Sequence, residues 1–225
     1  MPKTTFDKIA PAKRERLLRE AAALFGDRGF AGTDIAELAS RAGVSKGSIY
    51  TYFEGKDELY LHVCRDGLAR SRAAVYGQLD PSWDVYRQID HIFRAGAEFV
   101  RQSPEYVVLY INVASPGMAR FAEQLTAEVE GHTADHLKQI IRQGVDQGIV
   151  RDEVDIEVAA FTINSIYITL LQSLVSPHYR IRLKQYLELD VGPTAETIGA
   201  DLDRIIVSVQ DQLRPAPGAQ RRRKS

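Results

Sequence analysis

Three features of the 225-residue sequence predict an all-α fold. Apolar residues recur three and four apart through most of the chain, proline and glycine separate long runs of this kind, and the segments between leave little room for strands. About nine helices are expected.

The first covers 11–27, with Leu17, Ala21, Leu24 and Phe25 at helical spacing and Gly29 as its stop. A shorter helix over 34–41 carries Ile35, Leu38, Ala39 and Ala42. Asp34 and Glu37 have capping-box spacing at its start, and Gly43 ends it. The third helix lies in "GVSKGSIYTYF", residues 43–53, with Ser45 as N-cap. At 100° per residue, Ile49 and Phe53 share one face while Gly47, Ser48 and Thr51 point away. An exposed mid-helix glycine is about 1 kcal/mol worse than alanine, so something other than helix stability favours Gly47. A surface that must approach that backbone closely would do so. Ser45, Ser48, Thr51, Lys46 and the hydroxyls of Tyr50 and Tyr52 around it suit phosphates and base edges. Two short helices joined by Ala42-Gly43-Val44 describe a helix-turn-helix; the alternative is a helical hairpin inside a larger bundle.

Further helices are expected over 56–79, 83–102, 104–113, 116–146, 155–175 and 195–213. Ser82, Ser103 and Ser115 precede three of them, and Pro104 and Pro116 sit where a first-turn proline is tolerated. The intervening "SPHYRIRLKQYLELDVGP" is read as a loop with room for one short helix.

Composition narrows the function. With 44% hydrophobic residues and a net charge of -1, the chain can bury a sizeable core and shows no global attraction to a polyanion. Its single cysteine, Cys64, excludes an internal disulfide framework and a multi-cysteine zinc site. Lys3, Asp7 and Lys8 stand where a signal peptide needs apolar residues, and no apolar run is read as approaching the roughly 20 residues of a membrane span. A cytoplasmic protein without membrane association is expected. There is no nucleophile elbow, Walker loop or HExxH, so no catalytic residues are assigned and no enzyme activity or cofactor is expected.

The run "GFAGTDIAELASRAGVSKGSIYTYFEGKDELY", residues 29–60, resembles the N-terminal DNA-binding domain of the TetR family of bacterial transcriptional regulators, and the similarity is nearly continuous over 13–61. The resemblance implies a helix-turn-helix domain over 1–54 and an effector-binding and dimerisation domain over 55–213, leaving 214–225 as a basic tail. It also implies DNA contacts by position. Thr33 would approach a phosphate, and Ser45, Lys46, Gly47 and Ser48 would enter the major groove. Tyr50, Tyr52 and Lys56 would hold phosphates, with Thr51 a further base or phosphate contact. Asp34 stands where many relatives have threonine, which puts a carboxylate near the phosphate path. Residues 1–60 hold ten basic and nine acidic side chains, so binding would depend on the local placement of Lys46, Lys56, Lys13 and Arg14.

In the remainder, Ile156, Ala160, Ile163, Tyr167, Leu170 and Leu174 form one stripe, and Val158, Phe161, Ile168 and Val175 extend apolar character around the same helix. Ile198, Leu202, Ile205, Val209 and Leu213 form a matching stripe. The resemblance makes Ile163, Tyr167, Leu170, Leu174, Ile198, Leu202, Ile205 and Val209 a homodimer interface; packing of both stripes inside one chain is the alternative. Candidate effector-pocket residues are Trp83, Phe93, Tyr106, Tyr110, Phe121, Leu125, His132, His136, Phe161, Asn164 and Tyr167. The histidines are equally readable as satisfied core residues, and their spacing lacks a third ligand for a metal. The function expected is a repressor that binds a palindromic operator as a homodimer and is released by a small hydrophobic effector. An activator, an architectural protein or an all-α enzyme or carrier are the alternatives.

Overall fold

The computed structural model describes residues 4–189, 194 and 197–216. Among these, eleven α-helices and one short 3-10 turn occur and no strand. The helices are α1 Thr4–Asp7, α2 Pro11–Gly32, α3 Ile35–Ala42, α4 Lys46–Tyr52, α5 Lys56–Tyr76, α6 Val85–Gln102, α7 Pro104–Val113, α8 Ala119–Asp146, α9 Ile156–Val175, α10 Pro177–Leu187 and α11 Gly199–Asp211.

Most expected boundaries are met within a few residues, and the departures have local causes. Helix α1 was not anticipated: it is four residues long, and only Phe6, 1% exposed, gives it a core residue. Asp84, rather than Ser82, starts α6, because its carboxylate accepts the Arg87 amide at 2.8 Å. The segment expected to begin at 116 opens as a 3-10 turn, Pro116–Met118, before α8. Helix α10 is the short helix allowed for within the 176–193 segment. Residues 195–196, where the last helix was expected to begin, and the tail beyond 216 lie outside the described residues.

The chain divides into two compact units, residues 1–72 with 103–127 and residues 73–102 with 128–225. These packing units cut the chain differently from the functional division expected at 54/55. The N-terminal part of α5 and all of α7 belong with α2 to α4, since α2 packs on α7: Asn112 donates through Nδ2 to the Gly26 carbonyl at 3.1 Å, and Val108 lies within van der Waals reach of Gly26. Likewise the Tyr106 ring lies against Gly67, where a Cβ would overlap it, and its hydroxyl donates to Asp66 Oδ2 at 2.8 Å.

In the second unit, α6 and α9 meet at Gly96, where any Cβ would collide with the Tyr167 hydroxyl, and Phe93 packs edge-on to the same ring at 5.3 Å. Gln210 on α11 donates to the Tyr86 carbonyl at 2.9 Å, and Tyr86 donates to the Ile149 carbonyl at 2.6 Å. These bonds tie α6, α11 and the segment after α8 together.

Helix α9 corrects two expectations. By length and composition, with a mean hydropathy of 1.6, it is apolar enough to cross a membrane, although the sequence was read as lacking such a run. The expected interface stripe is also internal: Ile163, Tyr167, Leu170 and Leu174, like Ile198, Leu202, Ile205 and Val209, are all buried within one chain. Packing against α6 consumes that face, so the alternative reading of the two stripes is the one observed. What α9 exposes is the opposite face, where Phe161 is 74% and Val158 58% exposed; Val207 on α11 is 52% exposed.

Candidate functional site

Local bonds fix the helix-turn-helix. Asp34 Oδ1 accepts the Glu37 amide at 2.8 Å and caps α3, and this bond holds its carboxyl below the usual carboxylate range. Glu37 does not return the second bond of a capping box; it pairs with Arg41 at 2.6 Å and with Arg28. Gly43 closes α3 in the left-handed region (φ 69°), with the Val44 amide donating back to the Ala39 carbonyl at 2.9 Å. Arg16 on α2 clamps this turn by donating to the Arg41 carbonyl through Nε and Nη2 at 3.0 and 2.7 Å. Ser45 then caps α4: its Oγ accepts the Ser48 amide at 3.0 Å and lies 2.8 Å from the Ser48 hydroxyl.

Helix α4 therefore presents a fixed face. Ile49 faces inward, while Ser45, Lys46, Gly47, Tyr50 and Thr51 are exposed and Ser48 half-buried. Among the described residues a Cβ at Gly47 would find only Ser45 Oγ, at 3.8 Å, so none of them requires a glycine there. The Thr51 hydroxyl donates back to the Gly47 carbonyl at 3.0 Å, and Thr5 on α1 donates to the Thr51 carbonyl at 2.8 Å. Phe6 follows with its ring against Tyr52, Phe53 and His62, centroids 5.8, 4.9 and 5.2 Å away. Thr5, Phe6 and Arg16 thus position the face, and sequence reasoning missed all three. A lone aromatic among charged residues was the available signal for Phe6.

Three expected DNA contacts are occupied internally. Thr33 is 4% exposed, and its hydroxyl is shared between the Gly29 carbonyl at 2.8 Å and the Leu24 carbonyl at 3.2 Å, where it spans the break made by Gly29 (φ 66°). Tyr52 is 9% exposed, its ring taken up by Phe6, whereas Tyr50 is 45% exposed. Lys56 Nζ donates to the Ala31 carbonyl at 3.2 Å and sits 4.8 Å over the Phe30 ring; burial holds it below its ordinary 10.5. That makes Lys56 a tie between the start of α5 and the end of α2.

The candidate effector residues fall into both units. In the first, Tyr106 is core, and Phe121 stacks with Phe30 and Tyr60 at 5.3 and 5.2 Å beneath Arg120; Tyr110 and the buried Leu125 lie in the same unit. In the second, Arg87 covers Trp83 at 4.3 Å, and Phe161 is surface rather than lining. Phe93, His132, His136, Asn164 and Tyr167 remain, joined by Tyr76, whose ring stands edge-on to His132 at 5.0 Å and His136 at 5.1 Å. Asn164 Nδ2 donates to Glu130 Oε2 at 2.8 Å. No group of three or more metal-ligating side chains occurs among the described residues.

An unanticipated cleft of about 570 Å³ opens in the first unit beside Phe6, Arg14, Glu15, His62, Asp66 and Arg70. Three of its charges pair with one another: Arg70 donates to Glu15 at 3.0 Å and to Asp66 at 2.7 Å. Burial keeps His62 below its ordinary 6.5 and pushes the Cys64 thiol up to about 12, which leaves that sulfur protonated and unreactive.

A capped, clamped two-helix turn that exposes short polar groups around a backbone free of side chain is a DNA-reading helix-turn-helix. Residues 17–63 match the model of the family described as bacterial regulatory proteins, tetR family. The chain is 27% identical over 151 residues to the HTH-type transcriptional repressor KstR2 of Mycolicibacterium smegmatis, covering 65% of this chain and 72% of that protein. Its fold is similar to the crystal structure of a TetR family transcriptional regulator from Chloroflexus aurantiacus, with 22% identity, a TM-score of 0.69, and coverage of 96% of this chain and 100% of that one. A similar relation holds to AibR in complex with isovaleryl coenzyme A and operator DNA, with 20% identity, a TM-score of 0.63, and coverage of 90% and 98%. Residues 17–63 thus form a TetR-type DNA-binding domain, and over most of its length the chain is similar to transcriptional regulators of that family.

Proposed function

We propose that the protein is a ligand-responsive repressor that reads a palindromic operator as a homodimer. Exposed Gly47 carries this reading: it weakens a helix that gains nothing from it internally, and its benefit lies in letting Lys46, Ser48 and the α4 backbone come close to base edges. Ser45, Lys46, Gly47, Ser48, Tyr50 and Thr51 form the reading face. Asp34 lies close enough to Lys46 and Lys56 for each cation to lower its pKa, and it moderates the attraction of that face for phosphate.

The homodimer forms through the outward faces of α9 and α11, centred on Phe161, Val158 and Val207. Large apolar side chains this exposed fit a self-complementary patch, and a two-fold dimer mirrors the symmetry of a palindrome. Effector binding in the second unit shifts α5. Lys56 transmits the shift to the end of α2 through the Ala31 carbonyl, and the two reading helices leave the roughly 34 Å spacing of successive major grooves.

Selection from a random double-stranded DNA pool, confirmed by salt-dependent fluorescence anisotropy, tests this. An enriched palindrome with half-sites one helical turn apart is the expected result. A folded protein that enriches no sequence at low salt would overturn it.

A further inference from the structure

Two polar atoms of the second unit, His136 Nε2 on α8 and Asn164 Oδ1 on α9, are buried without a hydrogen-bond partner among the described residues. Such atoms are rare, because desolvating a donor or acceptor and leaving it unpaired is strongly unfavourable. Their surroundings define what would pair with them. The Asn164 amide is oriented by its Nδ2 bond to Glu130 at 2.8 Å, so Oδ1 is the end left over, and it can only accept. His136 is held below its ordinary 6.5, first by burial and then by the neighbouring His132, and is neutral at neutral pH. Tyr76 stands edge-on to His136 at 5.1 Å and turns its own hydroxyl to Thr133 at 3.3 Å. Tyr167, three residues beyond Asn164 and hence on its side of α9, is held between Phe93 and Gly96.

Building on the ligand-responsive reading above, we infer that this cluster is the effector site and that it takes an uncharged alcohol or phenol on an apolar ring. The donor rule admits that class and excludes several others. A carboxylate, thioester, ketone or ether has no hydrogen for Asn164 Oδ1, and an anion there would also face the Glu130 carboxylate. An ammonium donates but cannot accept, so it fails a His136 whose Nε2 carries the proton. A hydroxyl both donates and accepts, so it can pair with Asn164 Oδ1 or with His136 in either tautomer. The Tyr76 ring and the Phe93–Tyr167 pair supply apolar surface for the rest of such a molecule.

Isothermal titration calorimetry of the full chain, without DNA and at neutral pH, with a matched naphthalene series tests the inference. β-Naphthol is expected to bind about tenfold more tightly than β-methoxynaphthalene, and more tightly than β-naphthoate or the β-naphthylmethyl ammonium ion. His136→Phe keeps a ring beside Tyr76, and Asn164→Leu keeps volume; each is expected to bring naphthol to within about twofold of its methyl ether while thermal unfolding stays cooperative. Should Asn164→Leu fail to fold, His136→Phe decides alone. Equal binding of the ether, tighter binding of the acid or ammonium, no binding of naphthol, or unchanged preference in the variants would overturn the assignment. Operator selection on the same preparation separates the two claims. Naphthol discrimination without operator binding removes the repressor reading and leaves the site; operator binding without discrimination removes the site.

Discussion

Helices α4 and α9 each expose a residue their own chain has no use for, and in opposite senses. On α4 the residue is Gly47, smaller than helix stability favours; on α9 it is Phe161, larger and more apolar than water favours. A missing side chain admits a rigid polar partner whose edges must come near the backbone. A protruding aromatic needs a partner that can enclose it. Under the proposed function, DNA meets the first of these helices and a second copy of the chain meets the other. It also shows that apolar periodicity finds the face a helix buries at home, whereas the partner is met by what remains outside.

Changes on these two helices should separate the two roles. Phe161→Glu is expected to have the largest effect, replacing the enclosed aromatic with an unpaired carboxylate that weakens self-association by about 3 kcal/mol or more. Sedimentation velocity at micromolar concentration should show monomer, while thermal unfolding of the monomer changes little. Gly47→Leu should leave dimer and fold intact, since nothing lies within 3.8 Å of the new Cβ, yet reduce operator affinity about a hundredfold by anisotropy. Operator affinity as strong as wild type in folded Gly47→Leu would end the account of that glycine.

Thr33→Val asks whether an expected phosphate contact is instead a brace. Losing a hydroxyl that bonds two carbonyls should lower stability by about 1–2 kcal/mol in urea unfolding and leave operator affinity nearly unchanged. pH affects both units in the same direction. His62 and His136 titrate below 6.5 in the folded chain, so the unfolded chain binds more protons in the window under 6.5. Stability should be flat above that value and fall as pH drops below it, as chemical denaturation at several pH values will show. The smallest change is Asp34→Thr, which keeps an N-cap and removes a carboxylate beside Lys46. Operator affinity should rise several-fold at low salt, with the gain shrinking as salt increases.

Much of the reading head was legible because local chemistry sets it. Capping at Asp34 and Ser45, the left-handed Gly43 and the inward Ile49 each follow from a few neighbouring residues. What sequence spacing could not show was competition for the same side chain. Thr33 and Lys56 carry groups suited to phosphate, yet the Leu24, Gly29 and Ala31 carbonyls accept from them, and Phe6 takes up the Tyr52 ring; those partners are 4 to 46 residues away along the chain. The α9 stripe was located correctly and assigned to the wrong neighbour, because a periodic apolar face does not say whether α6 or another copy covers it. In the effector candidates, composition supplied His132, His136, Asn164 and Tyr167. The bond from Asn164 to Glu130, which turns one oxygen into an unmatched acceptor, depends on two helices meeting.

The pairing of α7 with α2 limits how this protein can be dissected. The first unit closes only with residues 103–127, so a fragment ending at 54 or 72 would leave uncovered the Gly26 surface that Val108 and Asn112 occupy. During synthesis the reading head stays unfinished until well past residue 113, after part of the second unit has already emerged. The recognition surface is therefore no cassette to be cut out and grafted: specificity exchanges within this fold must carry α7 with them, or be confined to the exposed side chains of α4.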